Sequence, residues 1–143
     1  MDSIREKQES IIRDFSLLDD PFDQYAYLLE LAALLPRMDD DRRAALGPVK
    51  GCQSNVWLDM RAEGEIFLLN TDSDTMLIRG ILYLLQKVLF GEPLRDVAEA
   101  KLDFLERCRI TPALSVDRRK GIGYVIQEVQ YSARAMERKD TRA

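Results

Sequence analysis

The sequence contains no histidine and only two cysteines, Cys52 and Cys108, among its 143 residues. Without an imidazole, the chain lacks the base that usually activates a catalytic serine or cysteine. Two thiols are also too few for the disulfide framework of a small secreted protein. Any chemistry at these thiols therefore proceeds without a histidine from the same chain.

Neither sign of charge is in large excess, since 21 Lys and Arg stand against 25 Asp and Glu, for a net charge of −4. This balance gives no general affinity for nucleic acid or for an anionic membrane. Long hydrophobic runs are missing, because the apolar cluster at residues 76–90 is broken by Arg79, Gln86 and Lys87. The first eight residues are polar and do not look like a signal peptide. We expect a cytoplasmic protein with reduced thiols.

The length fits one domain, and we expect a single domain over residues 1–143, with its core at about 10–135 and a charged, frayed tail at about 137–143. In the second helix, the apolar stripe is expected to run from Phe22 through Tyr25 to Leu35. Ser115 is the expected cap of the last helix. Periodicity and capping residues predict helices over residues 3–18, 21–35, 38–46, 72–90, 93–100, 102–108 and 115–138.

Strand patterns are confined to residues 55–61 and 65–70, with a turn at 62–64 between them. In the first strand, Val56 and Leu58 are expected to face the core, whereas Trp57 and Asp59 lie on the other face. Two strands so close in sequence pair as an antiparallel hairpin. Helices before and after one strand pair favour an α+β fold, with helices packed on one face of a small antiparallel sheet.

The most informative motif lies just before the first strand, where Gly51 precedes Cys52 and the polar residues Gln53 and Ser54 follow it. This pattern places the thiol on a flexible loop at the mouth of a strand, where it can be presented to a partner. Cys108 has no such motif around it, and we expect it only to pack in the core. A disulfide between the two cysteines is not expected in a reducing compartment.

Gly51-Cys52-Gln53-Ser54, followed by Val56-Trp57, resembles the active-cysteine motif of the SufE family, whose members accept sulfur from cysteine desulfurases. The resemblance extends over about residues 10–135, with its landmarks in the order that the family has. These landmarks are Tyr25, Tyr27, Leu28, Glu30 and Leu31; Asp72-Ser73-Asp74; Arg79-Gly80; and Leu114-Ser115, Arg118 and Gly121.

The resemblance implies a SufE/IscU-like fold and a sulfur-acceptor protein rather than an enzyme. Cys52 would take persulfide sulfur from a SufS- or CsdA-like cysteine desulfurase and stimulate that enzyme. The sulfur would then pass to a SufBCD-like iron–sulfur scaffold or to another acceptor. No cofactor, metal, nucleic acid or membrane is implied, and a monomer or weak homodimer is expected.

Several residues around Cys52 are candidates for supporting it. Arg118 is the second choice after the cysteine, either pairing with an acid on the desulfurase or holding the loop. The thiol itself is expected to enter an apolar pocket when no partner is bound and to swing out on docking. The full set of expected supporting residues is Lys50, Gly51, Gln53, Ser54, Asp74, Arg118 and Arg119.

Other functions remain open at this point. An iron–sulfur scaffold of the IscU/NifU type needs about three or four ligands, and this chain offers one well-placed thiol. A thiol hydrolase would need a base other than histidine. A binding module with an idle thiol is the third alternative.

Structural roles also compete with functional ones at several positions. Asp72 and Asp74 are most simply helix caps. The aromatic side chains of Trp57, Tyr25 and Tyr27 are expected in the core. The acidic run Asp39–Asp41 lacks the spacing of a calcium loop and is expected to be solvated.

Overall fold

The computed structural model describes residues 2–110 and 114–142, and within them the chain forms seven helices and a two-stranded antiparallel sheet. The predicted α+β class is confirmed. No helix within these residues combines the length and the apolarity that crossing a bilayer requires. The elements are α1 (Asp2–Ser16), α2 (Pro21–Leu34), α3 (Asp40–Leu46), β1 (Val56–Glu63), β2 (Ile66–Ser73), α4 (Met76–Leu89), α5 (Leu94–Glu99), α6 (Phe104–Arg107) and α7 (Val116–Arg142).

The hairpin pairs β1 with β2 in a register that runs from Val56 opposite Ser73 to Glu63 opposite Ile66. Residues directly opposite one another point to the same face. On the core face, Leu58 of β1 is buried, as the alternation predicts, and Phe67 of β2 is also buried. The second strand continues three residues beyond its predicted end at 70, because its last residues are polar and hide the strand pattern.

Asp72 was predicted to cap α4, and this prediction is wrong. It lies in β2, and α4 begins later, after Thr75, whose side chain makes no capping hydrogen bond. The carboxylate of Asp72 is fully buried and accepts hydrogen bonds from the guanidinium groups of Arg79 and Arg43. Burial raises the pKa of Asp72, but hydrogen bonds from Arg43 and from the backbone N–H groups of Met38 and Ser73, together with the charge of Arg79, outweigh that effect and leave the pKa lowered.

Helix α4 is the centre of the molecule, because its side chains are buried on most of its surface. Its closest neighbour is α2, which crosses it at Gly80. A Cβ atom at Gly80 would collide with the backbone carbonyl of Leu28. Glycine is therefore required here for the two helices to approach.

The predicted stripe on α2 is wrong in its first half. Phe22 is 83% exposed and Tyr25 is 41% exposed, whereas Leu28 and Leu31 are buried. The stripe is regular along the helix, but only the second half of α2 packs against α4. Tyr27 is half-buried, with its ring 5.3 Å from that of Phe15.

The face of the hairpin away from α4 is also covered, at one end, by α3. Asp59 was expected on the face away from Val56 and Leu58. It is buried there, and its carboxylate accepts hydrogen bonds of 3.0 and 2.6 Å from the guanidinium of Arg42. Beside it, the guanidinium of Arg43 lies 4.5 Å from the centre of the half-buried Trp57 ring. Asp39 caps α3 through the backbone N–H of Arg42, at 2.8 Å.

The last helix, α7, begins as predicted, because the hydroxyl of Ser115 accepts a hydrogen bond of 3.2 Å from the backbone N–H of Arg118. Val125 and Val129 face the core. The helix continues to Arg142, four residues beyond its predicted end at 138. The first turns of α7 pass beside the loop that carries Cys52.

Candidate functional site

Cys52 lies on a short loop between α3 and β1, and both ends of this loop are fixed. At the first end, the N–H of Val49 donates to the carbonyl of Val56 at 2.8 Å. At the second end, the side chain of Asn55 donates to Asp74 at 2.9 Å, and its carbonyl accepts from the Ser73 hydroxyl at 2.7 Å. Residues 50–54 therefore form a five-residue segment between two fixed points, and within it the Ser54 hydroxyl accepts a hydrogen bond from Thr75 at 2.8 Å.

The thiol of Cys52 points inward against α7. Its Sγ donates to the backbone carbonyl of Gly121 at 3.3 Å, and the residue is half-buried. A Cβ atom at Gly121 would lie 3.4 Å from the Cα and 3.5 Å from the Sγ of Cys52. The missing side chain of Gly121 thus leaves the space in which the cysteine sits.

Beyond the thiol is a small cavity of about 20 Å³, lined almost wholly by apolar atoms. That volume holds about one water-sized group, which is also close to the size of one sulfur atom. The cavity is lined by Cys52, Gln53, Ser54 and Val56 from the loop and β1, by Ile78, Ile81, Leu82 and Leu85 from α4, by Leu105 from α6, and by Arg118, Gly121, Ile122, Val125 and Ile126 from α7.

The surroundings of Cys52 hold the thiol in its protonated form. Burial raises its pKa, because the thiolate would lose hydration in the apolar cavity. The Gly121 carbonyl is an acceptor and therefore also favours the S–H. Within residues 2–110 and 114–142, no hydrogen bond donates to Sγ, and the expected Ser54 hydroxyl instead accepts from Thr75 at 2.8 Å. In this conformation Cys52 is a weak nucleophile.

Gly51 needs to be glycine for two reasons. Its φ angle is +90°, a conformation that other residues rarely adopt, and a Cβ atom would lie 2.8 Å from Cδ2 of Tyr124. The Tyr124 ring on α7 therefore packs directly against the loop backbone. Sequence reasoning did not identify Tyr124, because nothing near it in the sequence indicates a contact 73 residues away.

Of the expected supporting residues, the structure brings Gln53, Ser54 and Arg118 together with Cys52 around the cavity. Lys50 and Gly51 stay on the loop, and Lys50 is exposed beside a separate groove that Tyr124 also lines.

The other two expected residues lie apart from the cavity. Arg119 is exposed on another side of α7, near Asp103 and Glu106 of the α6 region. Asp74 does not cap α4. It accepts hydrogen bonds from the backbone and side-chain nitrogens of Asn55 and so fixes the end of the loop.

Cys108 packs in the core at the end of α6, as expected, and it is 4% exposed. Burial raises the pKa of its thiol to about 12. Neither cysteine forms a disulfide. In the part of the chain that the structure describes, no group of three or more Cys, Asp or Glu side chains is arranged to hold a metal ion.

Comparison with known proteins places this geometry in context. The family model described as "SufE: Fe-S metabolism associated domain" matches residues 9–133. An uncharacterized SufE-like protein of Rhizobium etli is 28% identical over 131 residues, which cover 88% of this chain and 88% of that protein. A second uncharacterized SufE-like protein, from Rhizobium meliloti, is 28% identical over 130 residues, covering 87% of this chain and 93% of that protein.

The fold also matches a solved structure, the solution structure of a hypothetical protein from Thermus thermophilus. The TM-score is 0.74, at 21% sequence identity, and the match covers 90% of this chain and 94% of that one. At this identity the likeness concerns the fold.

Proposed function

Since this chain belongs to the SufE family, whose domain is associated with Fe–S metabolism, we propose that it accepts sulfane sulfur on Cys52 from a cysteine desulfurase in the cytoplasm. The observation that carries the proposal is the placement of Cys52 on a loop fixed at both ends, above an apolar cavity with room for one more sulfur atom. The donor would be a SufS- or CsdA-like desulfurase, and the chain would act as its accessory protein.

The transfer is one thiol exchange at the outer sulfur of the donor persulfide. The thiolate of Cys52 attacks that sulfur, a new S–S bond forms on Cys52, and the donor S–S bond breaks. The donor thiolate leaves with the electron pair, so that no oxidant, metal or histidine is needed. Removing the persulfide frees the desulfurase for its next turnover, which is how the chain would stimulate it.

The retracted loop explains why transfer needs the partner. With its S–H bonded to Gly121 and its pKa raised by burial, Cys52 reacts slowly with molecules in solution. Docking of the desulfurase would draw the loop outward, hydrate the thiol and bring it within bonding distance of the donor sulfur. Gly51 makes the change of backbone conformation inexpensive.

Retraction after transfer would protect the product. A persulfide in water is quickly lost to reductants, whereas the apolar cavity beside Cys52 has room for the extra sulfur atom and would hold it away from them. The loop would swing out again at a SufBCD-like scaffold or another acceptor, which would receive the sulfur for iron–sulfur cluster assembly.

Intact mass spectrometry tests the proposal directly. After incubation with a cysteine desulfurase and L-cysteine, the wild-type chain is expected to gain the mass of one sulfur atom, and Cys52→Ser is expected to gain none. Cys108→Ala is the matched control, because it removes the other thiol and should still gain sulfur. Equal loading or equal stimulation of the desulfurase by Cys52→Ser would sink the proposal and favour a binding module with an idle thiol.

A further inference from the structure

Arg118 lines the same small cavity as Cys52, although the rest of that lining is apolar or uncharged. It lies three residues before Gly121, so that its side chain and the Gly121 carbonyl are on neighbouring parts of one side of α7. Its side chain is half-buried. Within the described ranges, 2–110 and 114–142, its guanidinium has neither a hydrogen bond nor an ion pair, and only its backbone N–H is bonded, to Ser115.

Among the half-buried and buried arginines of the described residues, Arg118 differs in having no partner for its guanidinium. The buried Arg79 pairs with Asp72, and Arg42 pairs with Asp59. The methylene stem of an arginine can cover apolar surface while its charged end stays hydrated. The guanidinium of Arg118 can therefore pair with an anion, whereas the resting thiol of Cys52 is neutral.

The persulfide differs from the thiol in charge. An S–S–H group is a stronger acid than an S–H group, because the adjacent sulfur withdraws electron density, and it is an anion near neutral pH. This anion has no proton to donate to the Gly121 carbonyl, so the hydrogen bond that holds the thiol is lost. An uncompensated anion in the apolar cavity would be expelled.

We propose that Arg118 is the counter-ion of the Cys52 persulfide when the loop is retracted. On loading, the outer sulfur loses its proton to solvent and pairs with the guanidinium, while the bond to Gly121 is given up. The neutral thiol and the anionic persulfide are thus held in one cavity by two different partners. The inference rests on the proposed function, since the persulfide is the group that it concerns.

The test forms the persulfide without a desulfurase, by treating the chain with inorganic polysulfide and confirming one added sulfur on Cys52 by mass. The pH dependence of persulfide alkylation by iodoacetamide then reports the pKa of that group. Removing a nearby opposite charge is expected to raise the midpoint by about one pH unit in Arg118→Gln. Arg118→Lys retains the charge and should recover most of the shift.

Arg119→Gln is the matched control, because it removes the same charge from the next residue, which lies on a different side of α7. It should leave the midpoint unchanged. A second readout is the rate at which dithiothreitol removes the loaded sulfur. Loss of an interaction worth one pKa unit of the persulfide is expected to raise this rate about tenfold in Arg118→Gln. Circular dichroism establishes whether each variant is folded. If Arg118→Gln does not fold, the persulfide midpoint of Arg118→Lys still tests the inference.

An unchanged midpoint in Arg118→Gln, or an equal shift in Arg119→Gln, would overturn the inference. These outcomes are separate from a failure of the proposed function. If polysulfide-loaded Cys52 depends on Arg118 but a desulfurase never loads it, the counter-ion stands and the sulfur donor is wrong. If the desulfurase loads Cys52 and the alkylation midpoint is the same in Arg118→Gln, the proposed sulfur acceptance is kept and the counter-ion role of Arg118 is rejected.

Discussion

At the scale of single residues, the reactivity of Cys52 is controlled by its position. No base among residues 2–110 and 114–142 is hydrogen-bonded to its thiol, its pKa is raised by burial, and its S–H is held by a carbonyl. These features suppress thiolate formation and hence attack on any electrophile. Reaction therefore requires movement of the loop, and a change that displaces the loop should activate the thiol.

Gly121→Val provides such a change. The branched side chain would extend into the space of the Cys52 Cα and Sγ, which already lie 3.4 and 3.5 Å from an added Cβ. We expect the loop to be pushed outward, the Cys52 pKa to fall towards its ordinary value as the thiol is hydrated, and alkylation by iodoacetamide at neutral pH to become about tenfold faster.

Gly123→Val is the control for this experiment. It places the same β-branched residue on the same helix, where an added Cβ meets no atom within 4 Å. Its alkylation rate should match that of the wild type. Similar acceleration in both variants would mean that general loosening of α7, and not displacement of the loop, exposes the thiol.

At the residue scale, sequence reasoning identified two residues of the site and missed a third. Cys52 and Arg118 were identified from a motif and from a family resemblance, and both line the cavity. Tyr124 was missed, because its role depends on α7 lying across the loop. No local pattern encodes that contact between distant parts of the chain.

At the scale of elements, the crossing of α2 and α4 determines how tightly the core closes. Gly80→Ala is expected to destabilise the protein by at least about 2 kcal/mol, because its new Cβ meets the Leu28 backbone and the helices must separate. Gly123→Ala, also within a helix but facing open space, should stabilise by up to about 1 kcal/mol through helix propensity. Urea unfolding of both variants measures the difference, and equal effects would contradict the close packing.

Sequence patterns predicted an element well when its own periodicity determined its structure. Helix α4 was anticipated because its apolar residues recur at helical spacing over its whole length. The end of β2 was not, because Asp72 and Ser73 resemble a helix cap in sequence. What holds Asp72 in the strand is its pairing with Arg43 and Arg79, and that interaction comes from tertiary structure.

At the scale of the whole molecule, the buried thiols make stability depend on alkaline pH. The pKa of Cys108 is raised from 9.0 to about 12, so the folded chain retains a proton that the unfolded chain releases. The contribution is fully present below pH 9 and is lost as pH rises towards 12. Each pH unit in that window lowers the free energy of unfolding by about 1.4 kcal/mol.

Cys108→Ala should remove this dependence. The variant loses some stability at every pH through the vacated volume, so the informative quantity is the change between pH values. Urea titrations at about pH 8 and about pH 10 are expected to show a smaller decrease for Cys108→Ala than for the wild type. Parallel decreases in the two proteins would show that Cys108 is not protected from ionisation.

The overall architecture could be predicted because helix–hairpin–helix order already favours an α+β domain. The covering of the hairpin face away from α4 could not be predicted, because the Asp59–Arg42 pair joins two charged residues that each look solvated in the sequence. The first half of α2 illustrates the opposite error. Its apolar residues at helical spacing suggest a core face, but Phe22 remains exposed.

The fixed ends of the cysteine loop limit how far its sulfur can travel. Cys52 lies three positions after the hydrogen-bonded Val49 and three positions before Asn55. A fully extended tether of three residues reaches about 10 Å. A donor whose sulfur lies deeper than that below its own surface stays out of range, and it must bring the sulfur up to the rim on a mobile arm. The length of the loop therefore limits the donors to those whose sulfur comes within about 10 Å of their own surface.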